Sequence, residues 1–257
     1  MRTLPLALVG AILLPASVLA LNYSDQSRMY ADAPFSRSET AAISVLTNLG
    51  AIKGNDDGTF APNRTLNRAE FLKIAQLSTE NITIPSQATG CFSDVPTGAW
   101  FTPYVCFAQQ RGVVKGYPDG KFHPEREVNY VEALKMLSEL NDYAGESLPN
   151  EEWYQRYVRS AQEHGVLLPI NLSYASLLTR GQMARLAAAY RAEADGELAL
   201  YRLAEQGKTP GSSQSSSSSV STTSVQSSSE AVSSSVASSS ASSLTTLLPS
   251  INHLLLP

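Results

Sequence analysis

The sequence predicts a mainly helical fold built from three like units. One observation is an internal repeat: Tyr30–Leu77 returns 62 positions later as Phe92–Glu139, so that Gly50, Gly54, Gly58, Phe60, Pro62 and Glu70 reappear as Gly112, Gly116, Gly120, Phe122, Pro124 and Glu132. Asp32 and Pro34 keep the register as Asp94 and Pro96. Another is a looser third copy, in which Trp100, Tyr104, Val105, Ala108 and Gly112 match Trp153, Tyr157, Val158, Ala161 and Gly165, and Val128 matches Leu178. The offset falls from 53 to 50 between them, so this copy has lost three residues and the Gly-x-x-x-Gly turn. A repeat of this kind marks an assembly of similar units, and one such unit has too little core to be stable alone. The units are expected at 29–79, 91–141 and 145–205.

Within a unit, apolar residues at 101, 104, 105 and 108 have helical spacing, and Gly112 ends that helix. Tyr117-Pro118-Asp119-Gly120 is a turn. Lys121–Pro124 reads as a short extended piece. Ala133, Met136, Leu137 and Leu140 then form the apolar stripe of a second helix. Its start is marked three times, by Asn67 with Glu70, Asn129 with Glu132, and Thr179 with Gln182. Each pair is a capping box, in which the first side chain accepts from the N3 amide and the N3 side chain reaches back to the cap amide. Caps do not explain Arg68 and Arg180, which stand in the first helical turn against the helix dipole. A local rule broken twice at matching positions points to use, and an arginine there suits an anion.

Outside the repeats the composition changes. Residues 1–20 carry one basic residue, Arg2, then an apolar run ending in Val18-Leu19-Ala20, the pattern of a secretory signal peptide. The alternative is an uncleaved membrane anchor; once the leader is cleaved, no transmembrane span is expected. Residues 211–243 are dominated by serine and cannot bury enough apolar surface to fold, so they read as a disordered linker. Residues 244–257 form an apolar tail that suits docking of a protein partner. The net charge of −4 gives nucleic-acid binding no electrostatic support. His123, His164 and His253 lack metal-ligand spacing, Gly207-Lys208-Thr209 lacks the upstream glycine of a phosphate-binding loop, and nothing outside the repeats is large enough for a catalytic domain, so neither cofactor nor enzymatic activity is expected. Cys91 and Cys106 suggest one disulfide in an exported chain, two buried thiols being the alternative.

Phe92-x-Asp94-Val95, Trp100, Gly112-Val-Val-Lys-Gly116-Tyr-Pro-Asp-Gly120-x-Phe122-x-Pro124 and Asn67-Arg68-Ala69-Glu70 resemble S-layer homology (SLH) domains over about 29–205. The resemblance implies a pseudo-threefold spindle of three tandem units and a secreted, cell-surface location. It also implies non-covalent anchoring to the bacterial cell wall through an anionic, pyruvylated secondary polysaccharide linked to peptidoglycan. Arg68 and Arg180 then take the carboxylate, Gly54 and Gly116 line the grooves, and Lys53 and Lys115 assist or are solvated surface residues. Tyr130 replaces the arginine of the second unit and can stack on a sugar instead. Trp100 and Trp153 read as packing residues, sugar platforms being the alternative. The competing function is a structural surface-layer protein that assembles through protein contacts.

Overall fold

A computed structural model describes residues 25–85 and 90–208. The leader at 1–20, the Ser-rich linker and the apolar tail lie outside the described residues. Among those described there are one short 3-10 helix (Gln26–Met29), seven α-helices and no sheet: α1 (Arg37–Asn48), α2 (Arg68–Ser78), α3 (Thr102–Gln110), α4 (Tyr130–Leu140), α5 (Gln155–Glu163), α6 (Arg180–Ala194) and α7 (Leu198–Glu205).

Helices α2, α4 and α6 touch one another and form the centre. They bury Phe71, Leu72, Leu134, Met136, Met183 and Leu186 almost completely. Each outer helix packs on an inner helix: α3 on α2, α5 on α4, and α1 on α6. Burial of each apolar stripe therefore requires a neighbouring segment, as the small core of one repeat demands.

The starts of the inner helices repeat this cycle. The amides of Arg68 and Ala69 donate to Arg126 O and Pro124 O, those of Tyr130 and Val131 to Ser176 O and Tyr174 O, and those of Arg180 and Gly181 to Arg64 O and Pro62 O. Three isolated antiparallel bridges, Asn67 with Glu127, Asn129 with Leu177 and Thr65 with Thr179, close the ring. The N3 amides go to the capping boxes: Asn67 Oδ1 accepts from Glu70 N at 2.9 Å, Asn129 Oδ1 from Glu132 N at 2.9 Å, and Thr179 Oγ1 from Gln182 N at 3.3 Å. The orphan donors of each helix start are thus used to hold neighbouring segments together.

The extended piece expected at Lys121–Pro124 is not a strand. His123 has a φ of 56°, and both Phe122 N and His123 N donate to Asp94, at 2.8 and 2.7 Å. Those amides are therefore unavailable to a ladder, and bridging falls at Glu127 and Asn129 instead. Asp32 holds Phe60 N and Ala61 N in the same way, both at 2.8 Å. The disulfide is formed, joining Cys91 to Cys106 with Cα atoms 5.2 Å apart, and it ties the start of the second repeat to α3.

Candidate functional site

The two arginines occupy equivalent places. Each is the first residue of an inner helix, and each lays its guanidinium over the phenylalanine of a neighbouring repeat. Arg68 lies 4.9 Å from the Phe122 ring centre and Arg180 4.8 Å from that of Phe60. Both phenylalanines are fully buried, so a cation–π contact anchors each charge in a desolvated position. The helix-end amides beside them already serve neighbouring carbonyls, so those amides are not free to hold a ligand.

Arg180 forms part of the wall of an open groove of about 390 Å³. Around it stand Lys53, Gly54, Arg64, Glu70, Lys73, Trp100 and Tyr104. Four cations face one carboxylate in a chain whose net charge is −4. Glu70 is engaged by Arg64 through two bonds of 3.0 Å, which fixes both in place. Arg180 Nη2 donates to Lys53 O at 2.7 Å, while its Nε is buried without a partner. Burial pulls the Arg180 pKa below its ordinary value, and nearby Arg64 adds to this. An anion would compensate such a group. Trp100 is 52% exposed at the groove edge, with Lys73 Nζ 5.3 Å from its ring centre and 5.7 Å from that of Tyr104. The packing role expected of Trp100 is thus corrected: half of this residue faces solvent. Trp153 is half-buried against the core, with Lys135 Nζ 5.9 Å from its ring.

Arg68 is placed differently. Only 1% of it is exposed, because Tyr117 covers its second face at 5.1 Å. The Tyr117 hydroxyl is held by Arg126 and by Glu132 Oε1, the latter at 3.2 Å, and Arg126 reaches Glu132 at 2.6 Å. Arg68 Nε is also buried without a partner, yet no open surface leads to it. Lys115 is exposed like Lys53, whereas Gly116 is buried and Gly54 exposed. Tyr130, the third residue of the set, is 4% exposed, and its hydroxyl accepts from Leu168 N at 3.1 Å. That packing leaves it no face for a sugar. Among the described residues no cluster of His, Cys, Asp or Glu could hold a metal, and no helix is long and apolar enough to cross a membrane.

Tyr117 and α7 are the features that sequence reasoning missed. The repeat alignment does set Tyr117 against Asn55, but only the fold shows that this position faces the arginine of another segment.

Capped inner helices, outer helices packed on them and a solvent-open cationic groove edged by aromatic rings define a helical module with one candidate site at Arg180. The SLH domain (S-layer homology domain) model matches residues 30–72 and 92–134, and these two segments belong to that family. The chain is similar to the S-layer protein sap of Bacillus anthracis, 30% identical over 138 residues, or 53% of this chain and 16% of that protein. It is also similar to the surface-layer 125 kDa protein of Lysinibacillus sphaericus, 26% identical over 170 residues, covering 63% and 14% of the two chains. A cellulosome-anchoring protein of Acetivibrio thermocellus is 28% identical over 99 residues, 38% of this chain and 22% of that one. The chain thus spans less than a quarter of each of these relatives. Domain and relatives together identify a secreted cell-envelope protein.

Proposed function

We propose that the chain attaches to the cell wall without a covalent bond by holding the carboxylate of a pyruvylated wall polysaccharide in the groove at Arg180. The observation that carries this reading is the desolvated Arg180 guanidinium, with its Nε lacking a partner, in a groove that also presents Lys53, Arg64 and Lys73. A carboxylate there gains charge-assisted hydrogen bonds from a donor already stripped of water. The exposed face of Trp100 offers a flat apolar surface for the sugar ring. Three repeats in a pseudo-threefold spindle, with 145–205 as the third, account for the cyclic exchange of amides and outer helices. Binding alone is proposed, with no catalytic step.

Co-sedimentation with purified cell-wall sacculi tests the reading. Arg180→Ala removes the central donor, and loss of a buried arginine contact of this kind costs about 2 kcal/mol, roughly thirty-fold in affinity. Sacculi whose ketal-linked pyruvate has been removed by mild acid should fail to pellet the wild-type chain. A folded Arg180→Ala variant that pellets undiminished would overturn the proposal.

A further inference from the structure

We infer that this chain offers one ligand site rather than three, because Tyr117 seals the second groove and helix α7 occupies the third. The inference rests on the carbohydrate reading above and sharpens it to a stoichiometry.

The second groove is closed at the position aligned with Asn55. In the open groove Asn55 is a short side chain that hydrogen-bonds Thr59 Oγ1 at 3.0 Å and leaves Arg180 reachable. Tyr117 instead lays a ring over Arg68, and Arg126 and Glu132 hold its hydroxyl. The position aligned with Leu77, which lines the open groove, is Glu139. Its carboxylate binds Arg156 at 3.0 Å and the Tyr157 hydroxyl at 2.6 Å. The carboxylate beside this groove comes from the chain itself.

The third groove is filled by a helix. The repeat alignment equates Gly50, Ile52 and Lys73, all lining the open groove, with Gly165, Leu167 and Arg185. Helix α7 lies against α1 and α6 and satisfies each of these. Arg202 Nη2 donates to Gly165 O at 2.9 Å and to Leu167 O at 3.0 Å. Arg185 Nε pairs with Glu205 at 3.0 Å, with both side chains largely buried. Glu205 therefore places an internal carboxylate on the cation that corresponds to Lys73. The arginine position of this groove is Tyr130, already bonded to Leu168 N.

The test is isothermal titration calorimetry of the full chain with the methyl glycoside of a ketal-pyruvylated N-acetylhexosamine. The expected stoichiometry is one. Arg180→Ala should remove the heat, and Arg68→Ala should leave both stoichiometry and affinity unchanged to within about two-fold. Tyr117→Asn, which copies the residue of the open groove, should raise the stoichiometry to two. A wild-type value of two or three, or a heat lost in folded Arg68→Ala but kept in Arg180→Ala, would overturn the inference while leaving wall binding intact. Absence of heat from the wild-type chain would instead overturn the carbohydrate reading and the single-site assignment with it. The wild-type stoichiometry decides the matter even if a variant does not fold.

Discussion

Arg68 and Arg180 begin equivalent helices, rest on equivalent phenylalanines and end in opposite states. Arg180 opens onto a cationic groove, while Arg68 is shut beneath Tyr117. Part of the backbone around them is the same, since Asp32 and Asp94 hold equivalent pairs of amides at nearly the same distances. Over the guanidinium itself, what separates them is Asn55 against Tyr117. A repeat can thus keep its frame and lose its site, because the frame depends on glycines, caps and buried carboxylates and the site on a residue that fills or spares the space above the guanidinium.

The largest expected difference between the two grooves lies in the glycine preceding that residue. A Cβ on Gly116 would stand 2.5 Å from Phe92 and 2.9 Å from Lys121 O, at a φ of +77°. Gly116→Ala should therefore cost about 3 kcal/mol or more from strain and overpacking together. At Gly54 the nearest atoms are a Tyr30 ring carbon at 2.9 Å and Thr59 O at 3.2 Å, with no positive φ, and Gly54→Ala should cost about 1–2 kcal/mol. Urea denaturation of the two variants measures both, and equal losses would remove the distinction.

Next comes Lys135, which corresponds to Lys73. Burial, then Arg68, pushes its pKa down to about 8, Glu139 opposing and Lys115 and Arg156 adding to the shift. Between pH 8 and the ordinary lysine value of 10.5 the unfolded chain binds more protons than the folded one, so stability rises with pH across that window. The penalty is fully present below pH 8. Relative to Lys135→Met, the wild-type chain should gain about 2–3 kcal/mol from pH 7 to pH 10.5, measured by denaturation at both pH values. A constant difference would show that the sealed groove does not desolvate this lysine.

The caps should differ less. Asn129 and Glu132 are buried whereas Asn67 and Glu70 are partly exposed, so Asn129→Ala should cost about 2 kcal/mol and Asn67→Ala about 1 kcal/mol. The smallest effect is expected from Arg68→Met. Replacing a buried charge by an apolar side chain of similar length is often neutral, and the melting transition should move by the equivalent of about 1 kcal/mol or less. A large loss would mean that Arg68 holds the second groove together rather than merely lying in it.

The capping boxes were readable in the sequence because the partners are three residues apart and their chemistry is local. The disulfide was readable from two cysteines within one repeat, although two thiols stood as the alternative. The anomaly of Arg68 and Arg180 was readable too, as a charge against a helix dipole. Its difference in outcome was not, because Arg68 meets Tyr117 and Arg180 meets Lys53 from segments far away in the chain. Exposure of Trp100 was hidden for a related reason: a tryptophan at a helix start looks the same whether the neighbouring segment covers it or leaves a groove. Helix α7 followed Gly196 without a repeat counterpart, so alignment gave it no place.

The repeat frame, the helix starts and the glycine turns follow from the order of residues alone, since these answer to backbone geometry over a few residues. Which groove stays open is set by packing between distant segments. That depends on outer helices packing on inner ones, on a ring laid over Arg68 and on a helix laid across α1 and α6. Such contacts join segments whose separation along the chain carries no periodic signal.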